Sequence, residues 1–291
     1  LDVFTDRPFA GNPLAVVLDA EGLADDAMQA IACEFNLSET VFVLPPRGAA
    51  HRACIRIFTT KRELPFAGHP IVGTAVLLAR LDGGSNPRAV SLEAKIGLVP
   101  CRVTPAAAHG HASFDLPQLP AEVGALPSAD VLAAALGLAA GDIGCAAFTP
   151  SQWSAGLAFT FVPVKDLDAV RRAAPDLAQF AATFAAPDRS AVFVFTDSAV
   201  EPGHDFHARM FAPGLGIVAD PATGSAAAAF AGVLTRFGGR KDGTHEVSIE
   251  QGYEMGRPSV IHLGLTLATG ALTAASVSGD AIVVAEGTIE A

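Results

Sequence analysis

Positive charge is scarce in this chain. Its 291 residues carry 19 Lys and Arg against 30 Asp and Glu, a formal net charge of −11, and the sequence pI is near 5.1. A surface of that sign repels phosphate backbones and anionic headgroups, which excludes nucleic acid and membrane surfaces as partners. An anionic small molecule remains possible only where local donors overcome the global field. Cysteine is sparse too. Cys33, Cys54, Cys101 and Cys145 show neither a CxxC pair nor zinc spacing, so they read as reduced core thiols and a cytoplasmic location is expected. No charged leader followed by an apolar run opens the chain. Residues 1–4 already read as a strand, so a few residues are expected upstream.

Long apolar runs are also missing, despite a mean hydropathy of +0.40. The longest uncharged stretch, 258–279, would be long enough to span a bilayer. It is broken by Pro258, Gly264 and Gly270, is rich in Thr and Ser, and alternates as strands do. It reads as sheet. What the chain does have is 51% hydrophobic residues with only 17% charged, enough for a substantial core and for two domains or one large one.

Along the chain, strands are expected at 2–4, 14–18, 40–44 and 54–58. Helices are expected at 25–35 and from Pro70, suited to a first turn, to about residue 80. The second half reads as a helix at 129–136, strands at 157–163, 192–196 and 204–211, a helix at 226–237, and strands and turns over 247–289. Strands and single helices in this mix give an α+β class. One arrangement occurs twice. Arg56-Ile57-Phe58-Thr59 leads through a loop to Phe66-Ala67-Gly68-His69 and an apolar helix; Arg209-Met210-Phe211-Ala212 leads through a loop to Ala222-Thr223-Gly224-Ser225 and another. Two similar domains that each bring a Gly-led helix N-terminus to a shared cleft are the simplest account. The Pro-, Gly- and Ala-rich stretch 105–124 is the candidate boundary, giving an N-terminal domain 1–117 completed by 277–291 and a C-terminal domain 118–276.

A helix N-terminus has unpaired N–H groups and the positive end of the helix dipole, and a glycine there lets a ligand approach the backbone. Gly68-His69 and Gly224-Ser225 could therefore take a carboxylate, or each glycine could simply ease a turn. Asp220, in Asp220-Pro221-Ala222-Thr223-Gly224-Ser225, is either a loop cap or a polar contact to substrate. Glu39, at the mouth of the apolar run Thr40-Val41-Phe42-Val43-Leu44, is either a surface acid or a partly desolvated carboxyl able to take and give a proton. His109-Gly110-His111 and His204-Asp205-Phe206-His207 lack a third metal ligand nearby, so no metal is expected. No nucleophile elbow, Walker loop or complete dinucleotide fingerprint is present.

Several of these segments resemble the phenazine-biosynthesis-F-like family. They are Asp2-Val3-Phe4-Thr5 through Phe9-Ala10-Gly11-Asn12-Pro13, Asn36-Leu37-Ser38-Glu39-Thr40, Glu63-Leu64-Pro65-Phe66-Ala67-Gly68-His69-Pro70, Asp220 through Ala226, and Gln251-Gly252 with Met255-Gly256-Arg257-Pro258-Ser259. The resemblance implies the diaminopimelate-epimerase-like fold, two pseudo-symmetric domains with sheet around a central helix and the active site in the cleft between them. It implies a homodimer and isomerisation without a cofactor, with trans-2,3-dihydro-3-hydroxyanthranilate as the reference substrate. Glu39 would shuttle the proton, His69 and Asp220 would hold the substrate's polar groups, and the backbones of Gly68-His69 and Gly224-Ser225 would bind its carboxylate. Thr60-Lys61-Arg62 departs from the family, where a proline is common in this loop. Related racemases of the fold use two cysteines, and none of the four here stands beside Gly68 or Gly224. The rivals are an epimerase or racemase of amino or hydroxy acids using Glu39 and Asp220 as two bases, and a non-catalytic small-acid-binding protein.

Overall fold

The first helix forms where the charge pattern favours it. In α1 (Asp25–Phe35), Asp25 and Asp26 occupy the first turn, against the positive end of the dipole, and Met28, Ile31 and Ala32 are buried on one face. It stops at Asn36, whose left-handed backbone (φ 50°, ψ 35°) returns its N–H to the Ala32 carbonyl at 3.2 Å. Asn is among the few residues that take this conformation at little cost. The turn delivers Glu39 to the first position of the next strand. The computed structural model describes every residue except 107, 186–190 and 291, and among the described residues it is a mixed structure of six α-helices and seventeen strands. The chain forms two compact units, Leu1–Asp115 with Ser278–Ala291, and Leu116–Val277.

In the first unit, β1 (Asp2–Val3) pairs antiparallel with β2 (Asn12–Val17), and β2 runs parallel to β3 (Glu39–Leu44) across α1. β3 pairs antiparallel with β4 (Ala53–Phe58), which takes β5 (Glu63–Leu64) antiparallel and β6 (Arg88–Ala94) parallel. β7 (Gly97–Pro105) and β8 (His109–Asp115) continue the antiparallel run. Between β5 and β6 stands α2 (Gly68–Leu81), buried from Gly68 to Ala79. A helix apolar on every side belongs at the centre of its unit.

The second unit repeats this order. After β9 (Ala121–Glu122) and α3 (Ala129–Ala135), β10 (Ser151–Ser154) pairs antiparallel with β11 (Ala158–Pro163). β11 runs parallel to β12 (Val192–Thr196) across α4 (Leu167–Arg172) and α5 (Leu177–Thr183). β12 pairs antiparallel with β13 (Phe206–Ala212), which takes β14 (Ile217–Asp220) antiparallel and β15 (Gly243–Gln251) parallel. The buried α6 (Gly224–Phe237) sits where α2 does in the order, and β15, β16 (Ser259–Ala268) and β17 (Ala271–Ile282) follow. Phe230 of α6 gathers Phe161, Phe193, Phe195 and Phe206, with ring centroids 4.8–5.8 Å away.

The stretch 258–279 is indeed sheet, with buried and half-buried residues alternating along β16; among the described residues no helix is long and apolar enough to cross a membrane. The boundary between the two units falls within the segment 105–124, at Asp115/Leu116, but the segment is not all loop. It contains β8, so His109 and His111 lie on a strand. Close packing of α6 rests on Gly232, where an added Cβ would lie 2.1 Å from the Trp153 ring. A rigid indole cannot yield as a flexible chain end would, so Gly232→Ala is expected to cost about 1–3 kcal/mol in a denaturant melt.

Candidate active site

Glu39 opens β3 and His69 is the second residue of α2. Folding of the first unit places Glu39 Oε2 3.4 Å from His69 Nε2, with side chains only 13% and 5% exposed. That distance would suit an ion pair, but burial pushes the His69 pKa down to about 3. A desolvated imidazolium is costly, and Nε2 has no aligned hydrogen bond to offset it. The pair at neutral pH is therefore a carboxyl beside a neutral imidazole. In the same unit Arg56 on β4 ties three elements together: it donates to Glu63 of β5 at 2.9 Å and to Asp25 of α1 at 2.6 Å, while Lys95 reaches Glu63 at 3.1 Å. The Arg56 guanidinium holds the Glu63 carboxyl below its ordinary pKa.

In the second unit Asp220, buried at the end of β14, accepts the Thr223 hydroxyl at 2.5 Å through Oδ2. Ser225 is the second residue of α6, as His69 is of α2. Neither α2 nor α6 has an acidic residue in its first turn or a side chain on its end: Ala67 has none to offer and Thr223 turns its hydroxyl to Asp220. The ends of α4 and α5 are treated differently. Asp166 caps α4 through Ala169 N, and Asp176 caps α5 through Ala178 N and Gln179 N. The N–H groups at Gly68-His69 and Gly224-Ser225, with no side chain over them, are of the kind that can hold an anion.

The sequence pairs of histidine find other uses. His207 of β13 is 1% exposed and lies between Glu250 Oε2 at 3.0 Å and Glu254 Oε1 at 2.9 Å; His204 also meets Glu250, at 2.8 Å. His111 meets Asp280 at 3.0 Å. Two of the thiols are held out of reactivity, since burial pushes Cys101 up to about 12 and Cys145 to about 11, and the residues just before Gly68 and Gly224 are Ala67 and Thr223. Two contributors were quoted in the sequence only as motif residues, with no role assigned. Thr223 and Gln251 both hold Asp220, and Gln251 lies 31 residues away from it, beyond any local spacing signal.

A duplicated strand–helix unit with glycine-led helix ends, one copy bearing a half-buried carboxyl beside a buried imidazole, belongs with the epimerase-like fold class, and the relatives of this chain are isomerases. The chain belongs to the phenazine biosynthesis-like protein family, whose model matches residues 1–287. It is 47% identical to an uncharacterized isomerase of Mesorhizobium japonicum over 98% of this chain and 96% of that one. Against the trans-2,3-dihydro-3-hydroxyanthranilate isomerase of Pseudomonas chlororaphis it is 36% identical, over 99% and 97%. Among solved structures it is similar to a PhzF-family phenazine biosynthesis protein of Bacillus anthracis, with TM-score 0.87, 25% identity and coverage of 97% and 95%. A probable proline racemase of Agrobacterium radiobacter shares the fold at TM-score 0.53 and 12% identity, covering 90% and 82%.

Proposed function

We propose that the protein moves a proton between carbons of a small unsaturated or cyclic carboxylic acid, without a cofactor, and that Glu39 is the general acid/base. Glu39 takes a proton from the hydroxyl-bearing carbon and returns one to another ring carbon, so the substrate is neither oxidised nor reduced. His69 and Asp220 hold polar groups of the substrate, and the backbone N–H groups at Gly68-His69 and Gly224-Ser225 hold its carboxylate and stabilise charge as it develops.

One observation carries this reading. Thr40 of β3 lies opposite Phe58 and Val192 of β12 opposite Phe211, in strands that match copy for copy. The residue before each is Glu39 in the first unit and Ala191 in the second. The duplicated framework thus carries a carboxyl in one copy and a methyl in the other. A single acid/base that removes and returns the proton suits isomerisation better than inversion by two matched groups. Asp220 keeps epimerisation in view as the second reading, because it is a second buried carboxyl beside a bare helix end.

Proton NMR of the protein with trans-2,3-dihydro-3-hydroxyanthranilate, the substrate named for the Pseudomonas relative, tests both. Ring protons that migrate to a new isomer support the isomerase. No conversion, together with loss of optical activity from a single enantiomer of an amino or hydroxy acid, supports the epimerase instead.

A further inference from the structure

The loop that carries Asp220 is held from within by one side chain. Gln251, the last residue of β15, is fully buried, and its amide makes three hydrogen bonds to this loop. Its amide nitrogen donates to the Asp220 backbone carbonyl at 2.7 Å and to the Thr223 hydroxyl at 3.0 Å, and its amide oxygen accepts the Thr223 N–H at 3.1 Å. The orientation of the amide is fixed by chemistry, because the Asp220 carbonyl can only accept and the Thr223 N–H can only donate.

A threonine hydroxyl has one proton to give. Since Thr223 receives a hydrogen bond from Gln251, its own proton is left for Asp220 Oδ2, 2.5 Å away. We infer that Gln251 is a positioning residue of the isomerase: by donating to Thr223 it commits that hydroxyl to Asp220, and so fixes the carboxylate that meets the substrate. The inference rests on the substrate-holding role proposed above for Asp220. Two features keep Gln251 from shifting. Its neighbour Glu250, fully buried, accepts the N–H groups of Val200 and Glu201 at 2.7 Å each and is held by His207. On its other side Gly252 has φ +81° and lies so close to the loop that an added Cβ would be 2.6 Å from the Pro221 carbonyl and 2.3 Å from that of Arg257. The chain on either side of Gln251 is thereby pinned, and its amide serves as a fixed reference for a loop 28 to 31 residues distant in sequence.

The test is a cycle of kcat/KM values on full-length protein, with thermal melts confirming that each variant is folded. Gln251→Leu and Thr223→Val are each expected to lose roughly 10- to 100-fold, as groups that orient a working ligand do. Thr223→Ser keeps the hydroxyl and is expected to stay within about threefold of wild type. The double variant is expected to be no worse than the poorer single one, since both cut the same chain of bonds. Losses that multiply, or a Thr223→Ser variant as poor as Thr223→Val, overturn the inference. Should Gln251→Leu fail to fold, the Thr223 pair decides alone. If wild type converts no acid, it is the functional reading that fails. Deuterium exchange at the Thr223 amide then decides the hold on the loop: at least tenfold faster in Gln251→Leu supports it, and an unchanged rate overturns it.

Discussion

Glu39→Gln is expected to lower turnover of the substrate by on the order of 10²–10⁴-fold, with ligand affinity and melting temperature close to wild type. Glutamine keeps the shape and the hydrogen-bonding reach of the side chain but cannot take up and return a proton at neutral pH. The fold tolerates the change because Glu39 stands at the first position of β3, half-buried, with the core of that strand supplied by Thr40, Val41, Phe42 and Val43. Its neighbour His69 is neutral, held down to about 3 by burial, so no buried cation is left unpaired by losing the carboxylate. Steady-state kinetics beside calorimetric binding separates the two effects. A loss of affinity equal to the loss of rate would mark Glu39 as a binding group and not the proton carrier.

The second large effect concerns His207. Burial alone would lower its pKa, yet hydrogen bonds from its ring to Glu250 and Glu254 raise it to about 9. The ring is therefore an imidazolium at neutral pH, flanked by two carboxylates that would otherwise repel each other. A histidine whose folded pKa lies above its ordinary 6.5 contributes stability that is complete below that value and is lost as pH rises through about 9. The contribution is about 3 kcal/mol, from the 1.36 kcal/mol that attend each pKa unit. His207→Leu removes the cation between the fully buried Glu250 and the half-buried Glu254, leaving Glu254 only the Arg209 guanidinium at 3.9 Å, which is expected to cost about 3–5 kcal/mol at pH 7. Urea melts at pH 7 and pH 10 check both statements. Wild type should weaken between the two pH values by about 3 kcal/mol more than the variant does, and an equal change in both would show that His207 is not charged at pH 7.

Much of the fold was legible because its signals are local. The acidic first turn and Asn36 set both ends of α1, and the two Gly-led motifs placed α2 and α6 and exposed the duplication. Where a signal was local but unread, elements were missed: Asp166 and Asp176 cap α4 and α5 through their side chains, and both helices lay in a segment with no expected structure. At 105–124 composition marked the boundary, which falls at Asp115/Leu116, but hid a strand. The alternation of β8 runs through His, Gly, Ala and Ser, residues that read as loop but whose every second position is buried against the unit. At the site, Glu39, His69, Asp220 and the glycines stood out by their position beside turns. Gln251 stood out only as part of a motif and Ala191 not at all, since the role of the first comes from long-range pairing of β15 and β13, and of the second from the register of β12.

The central claim is that one carboxyl carries the proton, and the most direct measurement is NMR of wild type and Glu39→Gln side by side with trans-2,3-dihydro-3-hydroxyanthranilate in heavy water. The account predicts conversion by wild type, with the migrating hydrogen appearing at the new ring carbon as protium or as solvent deuterium, and none by the variant. Conversion by Glu39→Gln at a rate near wild type would contradict it.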